Sequence, residues 1–153
     1  MNLVFTLIEH NHFEELQEFE NEKLKLIFSD EIEQSLQRWN SRWRPEAMEH
    51  YLKAGWSFMA RNLQNQLMGY FLAQPLLFID GQTQSLWVEH ISFVDHVSLE
   101  AVAKMAVQLS RDKHFQKIYF PQLQELQLIF QNQIKISQWN PQVFQILTTK
   151  AGT

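Results

Sequence analysis

The chain has 153 residues, of which 45% are hydrophobic and 20% are charged, and its formal net charge is −4. A chain of this length is most simply one domain with a real core, so we expect a single domain over residues 1–153. The negative net charge argues against nucleic-acid binding by bulk charge. The lack of cysteine excludes disulfides, a thiolate nucleophile and Cys-ligated zinc.

The amino-terminal sequence MNLVFTLIEHNHFEEL does not have the pattern of a signal peptide, because it lacks a basic segment and becomes acidic after a short apolar run. No apolar run approaches the roughly 20 residues that a helix needs to cross a bilayer. We therefore expect a cytoplasmic protein without a membrane partner.

The first third of the chain predicts one strand and then helices. Residues 3–8 form a short apolar strand, and residues 10–28 carry apolar side chains at helical spacing. A second helix runs to about residue 39, with Ile32 and Leu36 directed inward. Pro45 suits the first turn of a third short helix.

The middle of the chain predicts an antiparallel meander. Its three strands lie at residues 56–62, 66–79 and 85–93. Pro75 suggests an edge, a bulge or a bend in the second strand, and Asp80-Gly81 is a hairpin signal before the third.

The last third predicts a helix from about Ser98 to His114, whose apolar face can pack on the sheet. A parallel strand at 117–120, a short helix at 123–131 and two closing strands at 134–139 and 143–149 follow. This order predicts an α+β fold with a central mixed, mostly antiparallel sheet and helices on both faces.

The segment ISFVDHVSLEAVAKMAVQL contains the point where the third meander strand enters the following helix. Such points often bind phosphates, because free backbone N–H groups and the helix dipole attract anions. Together with the order of elements, this segment resembles the GNAT superfamily of acyl-CoA-dependent N-acyltransferases. The resemblance covers nearly the whole chain and implies a GNAT-like three-layer fold.

In a typical GNAT member, a basic or glutamine residue, two spacers, Gly, one spacer and then Gly or Ala wrap the pyrophosphate of coenzyme A. In register with that pattern, Ser98 replaces the basic residue, Ala101 the first Gly, and Ala103 takes the last position. Together with Ile91 and Phe93 on the strand, these are the cofactor-binding residues that the resemblance implies. The implied cofactor is acetyl-CoA or another acyl-CoA.

Three departures from the pattern predict weakened acyl-CoA binding. Ala101 places a Cβ where glycine allows the backbone to approach a pyrophosphate, and Ser98 lacks a cation. Glu100 adds a negative charge to the first helical turn. The alternative is structural, with Ser98 as an N-cap and Glu100 as an ordinary first-turn acid.

Acyl transfer to an amine needs a base, and the sequence WVEHI places Glu89 and His90 on the strand where GNAT members often carry it. Because side chains alternate along a strand, we predict that Glu89 is the base and that His90 faces the opposite layer. The alternative is a polar pair with a structural role. Phe130 stands near the position of the tyrosine acid of the superfamily and cannot donate a proton.

Trp39, Arg42 and Trp43 combine aromatic rings with a cation in the region that roofs the acceptor site of a GNAT-like fold. The resemblance implies that they bind substrate, through stacking and bidentate contacts to an aromatic or acidic ligand. The alternative is a tryptophan-rich packing corner. No histidine set has the spacing of a metal site, so we predict no metal.

Two functions stay open at this point. The first is an N-acyltransferase that acts on a small-molecule or peptide amine. The second is a non-catalytic GNAT-fold module that binds a ligand or a partner. The sequence also leaves open whether the chain forms a homodimer.

Overall fold

The computed structural model describes residues 2–79 and 81–131. In this part of the chain, five strands form one sheet in their sequence order. They are β1 (Val4–Leu7), β2 (Phe58–Arg61), β3 (Leu67–Ile79), β4 (Gln82–Phe93) and β5 (Lys117–Tyr119). The first three pairs are antiparallel and the β4–β5 pair is parallel, so the predicted mixed, mostly antiparallel sheet is confirmed.

Helices lie on both faces of this sheet. Within the described ranges they are α1 (Phe13–Ile27), which follows a short 3₁₀ turn, α2 (Glu31–Trp39), α3 (Pro45–Ala54), α4 (His96–Asp112) and α5 (Gln124–Phe130). Helices α1 and α3 share one apolar core with the sheet, and α4 and α5 share the other. The predicted three-layer α+β architecture is therefore confirmed.

Each core combines side chains from β3 and its neighbours with one helical layer. Phe71 packs with Leu99 and Val102 of α4, and all three are fully buried. Tyr70, on the other face of β3, packs with Leu16 of α1 in the second core. The alternation along β3 thus fixes which helices lie on which side of the sheet.

Strands β3 and β4 form a long hairpin, in which Ile79 pairs with Gln82 and Gly81 has a φ of 75°. Phe71 is the last residue of β3 that pairs with β2, so within residues 2–79 and 81–131 Pro75 lies where β3 pairs with β4 alone. Proline is tolerated at such edge positions when its nitrogen, which has no hydrogen to donate, faces away from the paired strand. The expectation of an edge position is confirmed.

Gly69 lets α4 approach the sheet. A Cβ at this position would lie 2.7 Å from the backbone oxygen of Ser92 and 3.0 Å from Cγ2 of Val102. The first distance is shorter than real Cβ contacts and the second is tight, so a side chain at residue 69 would force β4 or α4 to shift.

Helix α2 does not face the way its sequence predicts. Asp30 caps it as expected, by accepting a hydrogen bond from the backbone N–H of Ile32. Ile32 is 71% and Leu36 52% exposed, so the prediction that they face inward is wrong. The helix instead contacts α1 through a polar side chain, because Nε of Arg38 donates to Oδ1 of Asn21 at 2.7 Å.

Helix α4 begins at His96, two residues earlier than predicted, because Asp95 is its N-cap. The parallel strand and the short helix that follow are confirmed as β5 and α5. The predicted strands at 134–139 and 143–149 lie outside the described residues.

Candidate functional site

A β-bulge on β4 lies at the centre of the candidate site. Leu72 pairs with His90, whereas the next residue, Ala73, pairs with Val88, so Glu89 is an extra residue on β4. A bulge interrupts the alternation of side chains. Glu89 contacts α3 and His90 contacts α1, both on the same face of the sheet. The prediction that His90 faces the opposite layer is therefore wrong.

Glu89 accepts hydrogen bonds from three side chains. Nη1 of Arg42 lies 2.6 Å from Oε1, and the Tyr51 hydroxyl and Trp87 Nε1 lie 3.0 Å and 2.7 Å from Oε2. Burial alone would raise the pKa of Glu89, but these hydrogen bonds and the charge of Arg42 lower it below its ordinary value. Glu89 is thus an ionised carboxylate and a weak proton acceptor.

Tyr51 holds this carboxylate from α3. Its pKa is raised well above the ordinary value of tyrosine by burial, and then by the charge of Glu89 and the hydrogen bond to it. The hydroxyl therefore stays protonated at neutral pH and acts as a donor.

His90 lies beside Glu89, and its Nε2 is 3.1 Å from Oε1 of Glu20 on α1. The imidazole keeps 19% of its surface exposed, against 6% for the Glu20 side chain. The partly exposed imidazole of His90 is therefore paired with the nearly buried carboxylate of Glu20.

Strands β4 and β5 part next to the bulge. Their pairing ends at Trp87 and Tyr119, while β4 continues to Phe93. Within the described part of the chain, residues 88–93 of β4 pair with β3 alone. Backbone groups along this edge can pair with an extended ligand, as in strand addition.

The amino terminus of α4 follows this open edge. Oδ1 of Asp95 accepts from the backbone N–H of Ser98 at 2.8 Å, and the Ser98 hydroxyl lies 3.0 Å from the backbone N of Asp95. These two bonds form a capping box. The Ser98 backbone and hydroxyl lower the pKa of Asp95, so a negative charge stands where a phosphate would approach the helix.

No protein-family model matches the sequence, and no curated protein matches it. Solved structures do match the fold. An aminoglycoside N-acetyltransferase, AAC(6')-Iy, in complex with CoA, matches with a TM-score of 0.64 at 12% identity, over 97% of this chain and 96% of that one. A ribosomal-protein-alanine N-acetyltransferase from Brucella melitensis biovar Abortus 2308 matches with a TM-score of 0.57 at 15% identity, over 95% and 100%.

An acetyltransferase from Trypanosoma brucei matches with a TM-score of 0.54 at 11% identity, over 95% of this chain and 100% of that one. The chain has the GNAT fold. At these identities the matches establish the fold, and the activity has to be argued from the site.

In this GNAT fold, the residues that the resemblance implies for the cofactor lie at or near the junction of β4 and α4. Ile91 and Ala103 are buried in the core shared with α4, and Phe93 packs against that core. Ser98 is fully buried and its hydroxyl serves the capping box. Ala101 is half-buried on the first turns of α4.

Charge at this junction is acidic. Glu100 pairs with Lys104 at 2.7 Å, and this contact lowers the pKa of Glu100, so it is ionised like Asp95. The first turns of α4 thus carry two ionised carboxylates, of which Glu100 is paired with Lys104.

The predicted substrate-binding residues are divided between surface and core. Arg42 reaches Glu89, and the Arg42 side chain is 63% exposed. Trp39 is 77% exposed at the end of α2, whereas Trp43 is 6% exposed and belongs to the core with α1 and α3. Arg42 and Trp39 are therefore accessible to a ligand, and Trp43 has a packing role.

A shallow groove of about 480 Å³, wide open to solvent, lies on the outward face of α2. It is lined by Glu31, Ile32, Ser35, Leu36 and Trp39. Its walls combine apolar side chains with one carboxylate.

Phe130 is 5% exposed and stacks on Phe120 with ring centroids 5.7 Å apart, so it fills the core near α5. Among the described residues, no three His, Asp or Glu side chains gather in an arrangement that could hold a metal ion. No helix in the same residues combines the length and apolar character that a bilayer span requires.

Three contributors to the site cannot be recognised from motif spacing: Glu20, Tyr51 and Tyr70. Glu20 follows Leu16 by four residues, so both lie on the buried stripe of α1. A carboxylate on an apolar helical stripe is a signal that the sequence does contain.

Proposed function

We propose that this chain is an acyl-CoA-dependent N-acyltransferase with weakened affinity for acyl-CoA. The bulge of β4 carries the proposal, because it sets an ionised carboxylate and an imidazole side by side, next to a strand edge that pairs with no other strand of the described residues. When bound, acyl-CoA would supply an activated acyl thioester. The open edge at residues 88–93 offers backbone donors and acceptors to its extended arm.

The amino terminus of α4 would hold the phosphate end of acyl-CoA only weakly. The Asp95 carboxylate already takes the N–H of Ser98 and adds a negative charge. Because a helix dipole attracts anions, a carboxylate at this terminus opposes a second anion there. The fit to the cofactor is therefore good along β4 and poor at α4.

The acceptor is a small-molecule or peptide amine with an apolar or aromatic body. Glu89 can attract the ammonium group, because its carboxylate is ionised and remains 18% exposed. Ile32, Leu36 and Trp39 provide an apolar surface in the groove of α2, and Arg42 follows three residues after the end of that helix. These features favour aryl-alkyl amines over acidic or sugar-like acceptors.

A non-catalytic GNAT-fold binding module is the second candidate. The observation that favours it is the capping box of Asp95 and Ser98, which uses an N–H group that a pyrophosphate would need. This candidate predicts no acyl transfer to any amine.

Calorimetric titration with acetyl-CoA, followed by a transfer assay with 2-phenylethylamine, tests the proposal. The chain has no cysteine, so a thiol reagent detects released coenzyme A without protein background. We expect a Kd on the order of 1 mM, about −4 kcal/mol, and slow thiol release that requires the amine. Micromolar binding would show that the loop is not weakened. Neither heat nor thiol release at 10-fold higher acetyl-CoA would support the non-catalytic module.

A further inference from the structure

A buried polar cluster links α1 to the bulge of β4. Oε1 of Glu20 accepts from the Tyr70 hydroxyl at 2.7 Å and lies 3.1 Å from Nε2 of His90. Glu20 is 5% exposed and Tyr70 is fully buried. A buried carboxylate in a small domain is costly unless its partners hold it, so its position between these two donors is specific.

Glu20 is ionised in this cluster. Burial would raise the pKa of Glu20, but the hydrogen bond and charge of His90, together with Ser92 and Lys23, lower it below its ordinary value. Burial, and then the Glu20 charge, raise the pKa of Tyr70 well above its ordinary range, so its hydroxyl remains a donor.

Lys23 supplies the opposite charge on the same helix. Its Nζ lies 2.7 Å from Oγ of Ser92 and 4.7 Å from the centre of the Phe19 ring. Burial lowers the pKa of Lys23, while the charge of Glu20 raises it. The ammonium group therefore faces Ser92 and the ring rather than the imidazole.

The cluster selects one form of His90. An ionised carboxylate can only accept, so Nε2 must carry the proton that points to Glu20. In the neutral imidazole Nδ1 then keeps its lone pair, and it makes no hydrogen bond within residues 2–79 and 81–131. The Glu20–His90 contact resembles the carboxylate–histidine pair of a catalytic triad, in which the carboxylate orients the imidazole.

Glu89 has less spare capacity. Its two oxygens already receive bonds from Arg42, Tyr51 and Trp87, which use three of about four lone-pair sites. Protonation of Glu89 would also remove the charge that pairs with Arg42, whereas Nδ1 of His90 makes no hydrogen bond to the described residues. The two neighbours on the bulge thus differ in what they can do.

We infer that His90 is the proton acceptor of this site, that Glu20 positions its imidazole, and that Glu89 instead attracts the ammonium form of the acceptor. This inference rests on the proposed N-acyltransferase function. An ammonium loses one proton to Nδ1 of His90, and the neutral amine forms a nitrogen–carbon bond as the carbon–sulfur bond of the thioester breaks. The second nitrogen proton passes to the leaving thiolate through solvent, and His90 returns its proton to water.

The first test reads the histidine tautomer and does not depend on activity. In the ¹⁵N-labelled chain, we expect the Nε2-protonated tautomer of neutral His90, assigned by comparison with His90→Gln. In Glu20→Gln that preference should be lost, because a carboxamide can donate as well as accept. A Nδ1-protonated imidazole in the parent, or a tautomer that Glu20→Gln leaves unchanged, would overturn the inference.

The second test uses acetyl transfer from acetyl-CoA to 2-phenylethylamine over a range of pH. The titratable groups around the imidazole are Glu20 and Lys23 on α1, Tyr70 on β3 and Glu89 beside it. His90→Gln should lower kcat about 10²–10⁴-fold and abolish the acidic limb of the profile. Glu20→Gln should move that limb, which a purely structural role would not do. His10→Gln, at an exposed histidine in the 3₁₀ turn, is the matched control.

The outcomes distinguish the role of His90 from the N-acyltransferase function itself. Parent-like rates in His90→Gln, with the acidic limb lost in Glu89→Gln instead, would overturn His90 as the acceptor and leave the N-acyltransferase function intact. Absence of both acetyl-CoA binding and transfer in the parent would overturn the function together with the catalytic role of His90. The tautomer measurement would then still decide whether Glu20 positions the imidazole.

Discussion

Arg42 covers the carboxylate at the centre of the proposed site. Its guanidinium is an exposed cation 2.6 Å from Oε1 of Glu89, which is where an ammonium group would bind. Exposed ion pairs contribute about 0–1 kcal/mol, so an incoming cation can replace this one. At the scale of single residues, Arg42 therefore competes with the acceptor for Glu89.

We expect Arg42→Ala to lower the KM for 2-phenylethylamine by up to about fivefold and to leave kcat nearly unchanged. Steady-state kinetics with acetyl-CoA held constant measures both values. Arg44→Ala is the matched control, because Arg44 donates to the backbone oxygen of Ser41 and not to a carboxylate. A higher KM in Arg42→Ala would instead show that Arg42 binds the acceptor, as the GNAT resemblance implies.

Glu20 makes the stability of the protein depend on pH in the acid range. Its folded pKa lies below its ordinary value, so the folded state binds fewer protons at this group. The stabilisation is complete above the unfolded pKa and is lost as the pH falls through the folded pKa. Acid should therefore remove the stabilisation by ionised Glu20 from the parent. The Glu20→Gln variant lacks this stabilisation at every pH.

Urea unfolding at pH 7 and pH 3.5 measures this contribution. We expect Glu20→Gln to lower the free energy of unfolding by about 1–2 kcal/mol at pH 7, and the difference from the parent to shrink at pH 3.5. Glu100→Gln, at an exposed residue, should differ little from the parent at either pH. An equal gap at both pH values would show that folding does not lower the pKa of Glu20.

At the scale of elements, periodicity and turn residues predict the type and order of the strands and helices within the described residues. They do not predict the bulge of β4. Leu72, Ala73 and Val88 are all apolar, so no residue marks where one strand gains an extra position. The prediction for His90 fails for this reason alone, since strict alternation would have placed it opposite Glu89.

The orientation of α2 also cannot be predicted from its local sequence pattern. Its apolar residues recur at helical spacing, and that spacing correctly predicts an amphipathic helix. Spacing does not reveal which face meets the core, because that depends on contacts between distant parts of the chain, such as the Arg38–Asn21 hydrogen bond between α1 and α2. The apolar face is left outside, where it lines the groove.

The junction of β3, β4 and α4 makes a prediction about packing. Gly69→Ala would force its Cβ against Ser92 O and Val102 Cγ2, so we expect a loss of about 1–3 kcal/mol in the free energy of unfolding. Gly81→Ala is the control, because its Cβ would meet no atom within 4 Å and only the positive φ is strained. An unchanged urea midpoint for Gly69→Ala would show that α4 can move away from the sheet.

At the scale of the whole molecule, the site draws on distant parts of the sequence. Glu20 and His90 are 70 positions apart, and Arg42 and Glu89 are 47 apart. The sequence names Arg42 and Glu89 as separate candidates and gives no sign that they touch. It misses Glu20 and Tyr51 because their roles arise only when α1 and α3 pack on the bulged strand.

The two ends of a bound acyl-CoA would meet different charges on this molecule. The open edge of β4 can pair with the extended arm, while Asp95 and Glu100 surround the terminus that would receive the phosphates. Most of the affinity should therefore come from the arm. S-acetylpantetheine, which keeps the arm and lacks the pyrophosphate and nucleotide, isolates that half.

We expect the parent to bind acetyl-CoA and S-acetylpantetheine with Kd values that differ by less than about fivefold, measured by calorimetry. Asp95→Asn keeps a capping oxygen and removes the charge, so it should tighten acetyl-CoA binding about fivefold and leave S-acetylpantetheine unchanged. Asp112→Asn, at the opposite end of α4, is the matched control. If the parent preferred acetyl-CoA by about a hundredfold, a gap of nearly 3 kcal/mol, the α4 terminus would bind the pyrophosphate fully despite Asp95. The weakened loop would then be refuted, and an ordinary cofactor site would remain.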